Sequence, residues 1–137
     1  MELKLGLICD SANVSHEGKL NILGEFNTIW GQQPPVKWPT LTLVARFETH
    51  AVEGSKHALT IDVVDEDGQS ILDKQITGTL VFSQTGLGRP LRANVLISFR
   101  DLTFPKFGAF EFRLLIDGRS LGTVAIYIAQ QQRPIQA

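Results

Sequence analysis

Cysteine is nearly missing from these 137 residues: Cys9 stands alone, so no disulfide within the chain can brace the fold. An excess of basic charge is missing too. Lys plus Arg number 13 against 14 for Asp plus Glu, a formal net charge of −1. Nucleic-acid binding needs a basic footprint that neutralises phosphates, so no nucleic-acid partner is expected. No stretch approaches the roughly 20 consecutive apolar residues of a membrane-spanning helix. The first apolar stretch is interrupted by Glu2 and Lys4, which is not the unbroken run of a signal peptide. Neither end carries an acylation or prenylation motif. A membrane association is therefore not expected, and a reducing, cytoplasmic setting is the default for a chain with one thiol.

What is present is ordinary globular material. Apolar residues make up 43% and charged residues 20%, too apolar and too weakly charged for a disordered chain. The length suits one domain with a core of its own. No internal repeat or linker breaks the sequence. The polar end, residues 130–137, reads as a flexible tail after a domain spanning 1–129.

Alternation with a period of two dominates. Leu3, Leu5, Leu7 and Cys9 are expected to share one face of a first strand, and Leu20, Ile22, Gly24 and Phe26 one face of a second. Leu41, Leu43, Ala45 and Phe47 stand opposite Thr42, Val44, Arg46 and Glu48. Further inward faces follow at Leu59–Val63, at Ile71, Ile76, Leu80 and Phe82, at Leu91–Phe99, at Phe110–Ile116 and at Val124–Ile128. Nowhere does a dozen-residue window hold a 3.6 period with caps. The pattern predicts an all-β fold, a single antiparallel β-sandwich of about eight or nine strands with little or no helix. Its centre is expected at Leu43, Ile61, Val95, Ile97, Phe112 and Ile126.

Gly18, Gly54, Gly68 and Gly118 mark turns at positions that favour positive φ. Parity sharpens two places. In the last hairpin the inward residues of both strands are even-numbered, so Phe112 should face Val124. That demands a three-residue loop (Asp117, Gly118, Arg119) or a bulge, not a plain two-residue turn. The inward face also changes from odd at Phe99 to even at Leu102 and Phe104, which predicts a β-bulge near Arg100 and Asp101.

Candidate chemistry is sparse. His50 and His57 flank a turn but fall on opposite faces by parity, and no Cys-x-x-Cys or His-x-x-x-His spacing occurs. The run Asp65, Glu66, Asp67, Gly68 lacks the glycine and glutamate that a calcium loop needs further on, since Ser70 and Ile76 occupy those places. Residues 83–90 hold two glycines and an arginine, but no Lys and helix follow, so they read as an inter-strand connection and not a phosphate loop. Cys9, in register with leucines, reads as a buried, inert thiol. No catalytic residue, metal ligand or cofactor site is assigned, and the chain is read as no enzyme.

The least ordinary stretch is residues 30–39, with both tryptophans and three of the six prolines. Proline stiffens a connection that cannot join a ladder. One reading makes it a crossing between sheets with a tryptophan as a lid on the core. The other makes Trp30, Pro34, Pro35, Lys37 and Trp38 a contact surface, because tryptophan is enriched where partners bind.

The run from Cys9 to Ser15, then Gly18 to Gly24, Pro35, the strand 41–47, Val64 to Gly68, and the ending Phe107 to Phe110 with Asp117, Gly118, Leu121 and Gly122 are familiar as a unit. Together they resemble a family of small, single-domain bacterial proteins of unknown function. The resemblance implies a β-sandwich in a bacterial, non-secreted protein and carries over no catalytic residue. The expected role is a non-catalytic interaction module, acting as a homo-oligomer or as a subunit of a larger assembly. The alternative is a binder of a small ligand, such as a carbohydrate, that stacks on Trp30 or Trp38.

Overall fold

The computed structural model describes residues 1–50, 56–82 and 89–132. The expected turn at Gly54, most of the connection 83–90 and the end of the tail lie outside the described residues. Among those described there is no helix, and so none long and apolar enough to cross a membrane. Nine strands carry the fold: β1 (Glu2–Val14), β2 (Leu20–Phe26), β3 (Thr28–Gly31), β4 (Val36–Thr49), β5 (Lys56–Val64), β6 (Ile76–Val81), β7 (Leu91–Phe104), β8 (Gly108–Ile116) and β9 (Arg119–Gln130). They form a first sheet, β2-β1-β4-β7, and a second, β3-β9-β8-β5-β6.

One hydrophobic core draws on both sheets. Leu43, Ile61, Val95, Phe112 and Ile126 are buried in it as expected, and Ile97 packs against it partly buried. Phe112 pairs with Val124. Phe99 and Phe112 meet edge to face at 5.3 Å, as do Phe104 and Phe110 at 5.1 Å, the geometry that the ring quadrupole favours.

Three expectations are corrected. The first concerns sheet direction: β3 runs parallel to β9, whereas every other pair is antiparallel. The chain leaves the first sheet after Phe26, lies against β9 for four residues, and returns to the first sheet as β4. A strand reached by a crossing is free of the direction that a tight hairpin imposes.

The second concerns β1. Leu3 faces Phe47, but Leu5 already faces Arg46, so one extra residue sits on β1 at Lys4. That bulge reverses the parity of every later side chain. Ile8 enters the core, while Leu5, Leu7 and Cys9 turn to the other face, beside Arg46, Val44 and Thr42. The reversal places Gly6 inward, where a Cβ would lie 2.8 Å from Val124 Cγ2. Gly122 on β9 likewise leaves no room for a Cβ beside Leu3. The two sheets approach here through paired absences of side chains.

The third concerns the kink in β7. Inward parity does change there, and Asp101 adopts φ of 53°. No register shift accompanies it: residues on β4 and β7 keep one register from Val36–Phe104 to Thr49–Leu91. The ladder omits only Pro39 opposite Asp101. Proline has no N–H to donate, so both strands change face together with no inserted residue.

The β8–β9 connection resolves in favour of the bulge. Asp117 and Gly118 form a two-residue turn with φ of 51° and 79°, the positive-φ pair of a type I′ hairpin. The parity is restored by Leu121, an extra residue between the Leu114–Gly122 and Leu115–Ser120 pairs.

Cys9 is fully buried even on the outer face of the first sheet. Its thiol lies 3.3 Å from the Ser11 carbonyl and 3.7 Å from that of Thr42. Burial pushes its pKa up, and the carboxylates of Asp10 and Glu25 add to the shift. A protonated, inaccessible thiol is a poor nucleophile. Native protein is expected to resist a thiol reagent until denaturant is added; prompt labelling would contradict the burial.

Candidate functional site

The residues 30–39 are divided between the two sheets. Trp30 belongs to β3, and its side chain is 59% exposed on the outside of the second sheet. Residues 32–35 make the return crossing, with exposed Pro34 and Pro35 joined by a cis peptide bond. Lys37 and Trp38 are already in β4. Lys37 is exposed, with Nζ 4.0 Å from Asp101 Oδ1. Trp38 is half-buried, packs against the core and meets the Phe26 ring at 6.1 Å. Alternation within β4 and the crossing before it thus send the five side chains in different directions, with Trp38 on the core.

A different feature stands out. β1 pairs with β4 only over Glu2–Cys9, yet with β2 over Ile8–Val14. From residue 10 onward β1 and β2 have left β4 and continue as a two-stranded ribbon. Its tip is closed by Ser15, whose backbone N–H donates to the Lys19 carbonyl at 2.8 Å and whose Oγ accepts from Lys19 N–H at 3.1 Å. Asn21 Nδ2 donates to Asn13 Oδ1 across the strands at 2.9 Å.

The ribbon is apolar where it meets solvent. By register, Ala12, Val14, Leu20 and Ile22 share one face, and Leu23 with Ser11 the other. Val14 is 44%, Ile22 37% and Leu23 69% exposed. Only Phe26 of the expected inward set on β2 reaches the core. The sequence signal that points here is Ile22 followed by Leu23: apolar residues on both faces of a strand with one face too many for a single core.

β2 is also an edge. Edge strands are ordinarily blunted by lysine, proline, shortness or a bulge. β2 has seven residues, no proline, no cation and Glu25 as its one charge; its register with β1 does not shift, although the ladder skips Gly24, at φ of 69°, opposite Asp10. The opposite edge, β7, carries Arg92, Arg100 and the Asp101 kink. The second sheet's edges, β3 and β6, are shorter, at four and six residues.

The acidic turn and His57 are occupied with the fold. Asp65 Oδ1 accepts from the N–H groups of Asp67 and Gln69, each at 2.9 Å, and Lys106 Nζ stands 3.5 Å from Oδ2. The Gln69 N–H chiefly, with Asp67 N–H and Lys106, holds the Asp65 carboxyl below the usual range. The buried Asp62 carboxylate accepts from Ser70 Oγ at 2.5 Å and from Gln75 Nε2 at 3.3 Å. His57 Nδ1 lies 2.7 Å from Asp117 Oδ2, and Asp117 Oδ1 accepts from Ala58 N–H at 2.9 Å. That contact with His57, then the Ala58 N–H, lowers the Asp117 pKa. His50 is exposed and remote in register from this pair. Among the described residues no three His, Cys, Asp or Glu side chains are grouped to hold a metal ion.

A search of curated proteins finds no match to the chain. The sequence model of DUF6941, a family of unknown function, matches residues 4–129, nearly the whole chain and all of the two-sheet core. The chain therefore belongs to the DUF6941 family.

Proposed function

We propose that the protein is a non-catalytic β-sandwich module of the bacterial cytoplasm that works by assembly, and that its first partner is a second copy of itself. The observation that carries this reading is the apolar β2 edge, without lysine or proline, on the ribbon that runs on past β4. An edge strand offers a row of backbone donors and acceptors, and adding a strand satisfies them. Antiparallel pairing of β2 with the β2 of a second copy is isologous, as a two-fold dimer requires. It joins two first sheets into one continuous sheet and covers Ile22 and Leu23 with their own counterparts. The absence of lysine along β2 supports this reading, because lysine is one of the usual guards against strand addition at an edge.

Sedimentation equilibrium on the wild type is expected to show a dimer. Ile22→Lys and Leu23→Lys, both at exposed positions, are expected to give folded monomers whose melting temperature no longer depends on protein concentration. A wild-type monomer throughout the concentration range, or lysine variants that still dimerise, would overturn the proposal.

A further inference from the structure

The outer face of the second sheet holds a groove of about 330 Å³ that reaches the acidic turn at Asp65 and Glu66. That size lies at the small-ligand end of binding sites. Its floor is Ala109 and Ala125, which the register sets on neighbouring strands beside Tyr127 and Glu111 respectively. Two alanines between taller side chains leave the hollow. Tyr127 forms one wall and is 46% exposed. Arg113 and Glu111 form the other, joined by an Arg113 Nε donation to Glu111 Oε1 at 3.1 Å.

That ion pair is only half used. The terminal amino groups of Arg113, the second oxygen of Glu111 and the Tyr127 hydroxyl make no hydrogen bond to the protein among the described residues. Planar donors and a planar acceptor therefore stand side by side in a groove that Tyr127 also lines. Glu66 closes one end, with Oε1 accepting the Ala109 N–H at 3.0 Å. The carboxylates of Asp65, Glu66 and Glu111 line the groove and oppose an anion, while Lys106 stands against Asp65 and Arg113 against Glu111. What fits is an uncharged molecule with vicinal hydroxyls on its rim and C–H groups on its face.

We infer that this groove is a binding site for a neutral carbohydrate. The C–H face of a pyranose stacks on Tyr127. Adjacent hydroxyls accept from Arg113 and donate to Glu111, the bidentate geometry that the guanidinium–carboxylate pair presents. Trp30 extends the same face: on β3 it pairs with Ala129, two residues beyond Tyr127, and points outward like it. A second sugar unit would lie toward Trp30, so an oligosaccharide is preferred to a monosaccharide. The site is on the sheet opposite β2 and stands independently of self-assembly.

The test is amide chemical-shift perturbation on labelled full-length protein, with cellohexaose, maltohexaose and chitohexaose as probes and calcium chloride and spermidine as cationic controls. At least one oligosaccharide is expected to shift amides in 109–113 and 123–129. Tyr127→Ala is expected to lose those shifts while melting as the wild type does. Leu23→Lys is expected to keep them, which separates this site from the dimer reading. No shift with any of the three sugars overturns the inference. So do shifts that survive Tyr127→Ala, or a response to the cationic controls alone.

Discussion

Phe112→Ala is expected to lower unfolding free energy by about 3–5 kcal/mol, the range for deleting a buried aromatic ring. Phe112 is fully buried, pairs with Val63 on one side and Val124 on the other, and meets Phe99 edge to face. It sits on β8, the middle strand of five. Its neighbours are held by ladders on both flanks, so the cavity cannot close by local collapse. A domain's total stability is about 5–15 kcal/mol, so this one change removes a large part of it. Urea unfolding measures the loss. Phe112→Leu, which keeps most of the volume, is expected to cost less than about 1.5 kcal/mol. A loss below about 1 kcal/mol for Phe112→Ala would put the ring outside the core.

Trp38→Ala is expected to cost about 3 kcal/mol, near the lower end for a tryptophan truncation because the ring is half-buried. The ring covers the end of the core beside Phe26, at the place where β4 and β7 change face together. Removing it exposes Phe26 and opens that end to water. Trp30→Ala is expected to stay within about 0.5 kcal/mol, since the side chain is mostly in solvent already. Trp30→Ala is not expected to alter sedimentation, because β3 lies in the other sheet from the β2 edge. Equal stability losses for the two tryptophans would refute their separation onto different faces.

Much of the fold was legible because burial imposes a period of two. The core set from Leu41 to Ile126 could be read from alternation alone; parity arithmetic left a three-residue loop or a bulge open in the last hairpin, and located the face change at Asp101 but wrongly gave it an inserted residue. It failed at β1, where Leu5, Leu7 and Cys9 alternate as well as any core strand does. Ile8 lies in the same run, so either face is apolar, and alternation has no means to choose. The candidate sites were less legible still. Trp30 and Trp38 are eight residues apart in one proline-rich stretch, and composition groups them where the crossing separates them. Tyr127, Arg113 and Glu111 read as the plain polar side of their strands.

The sequence by itself determined that the chain is all-β, which residues lie inside from β4 onward, and the turns at Gly18, Gly68 and Gly118, because those follow from side-chain alternation and local backbone preference. Only the tertiary structure decided which strands neighbour which. The β3–β9 parallel pair joins residues about a hundred positions apart, and no local pattern encodes such a partner. It also decided that β2 runs past the sheet, that Gly6 and Gly122 let the two sheets approach, and that two alanines leave a hollow beside Tyr127. Each of these depends on what stands across from a residue, and that is set by register between strands distant in the chain.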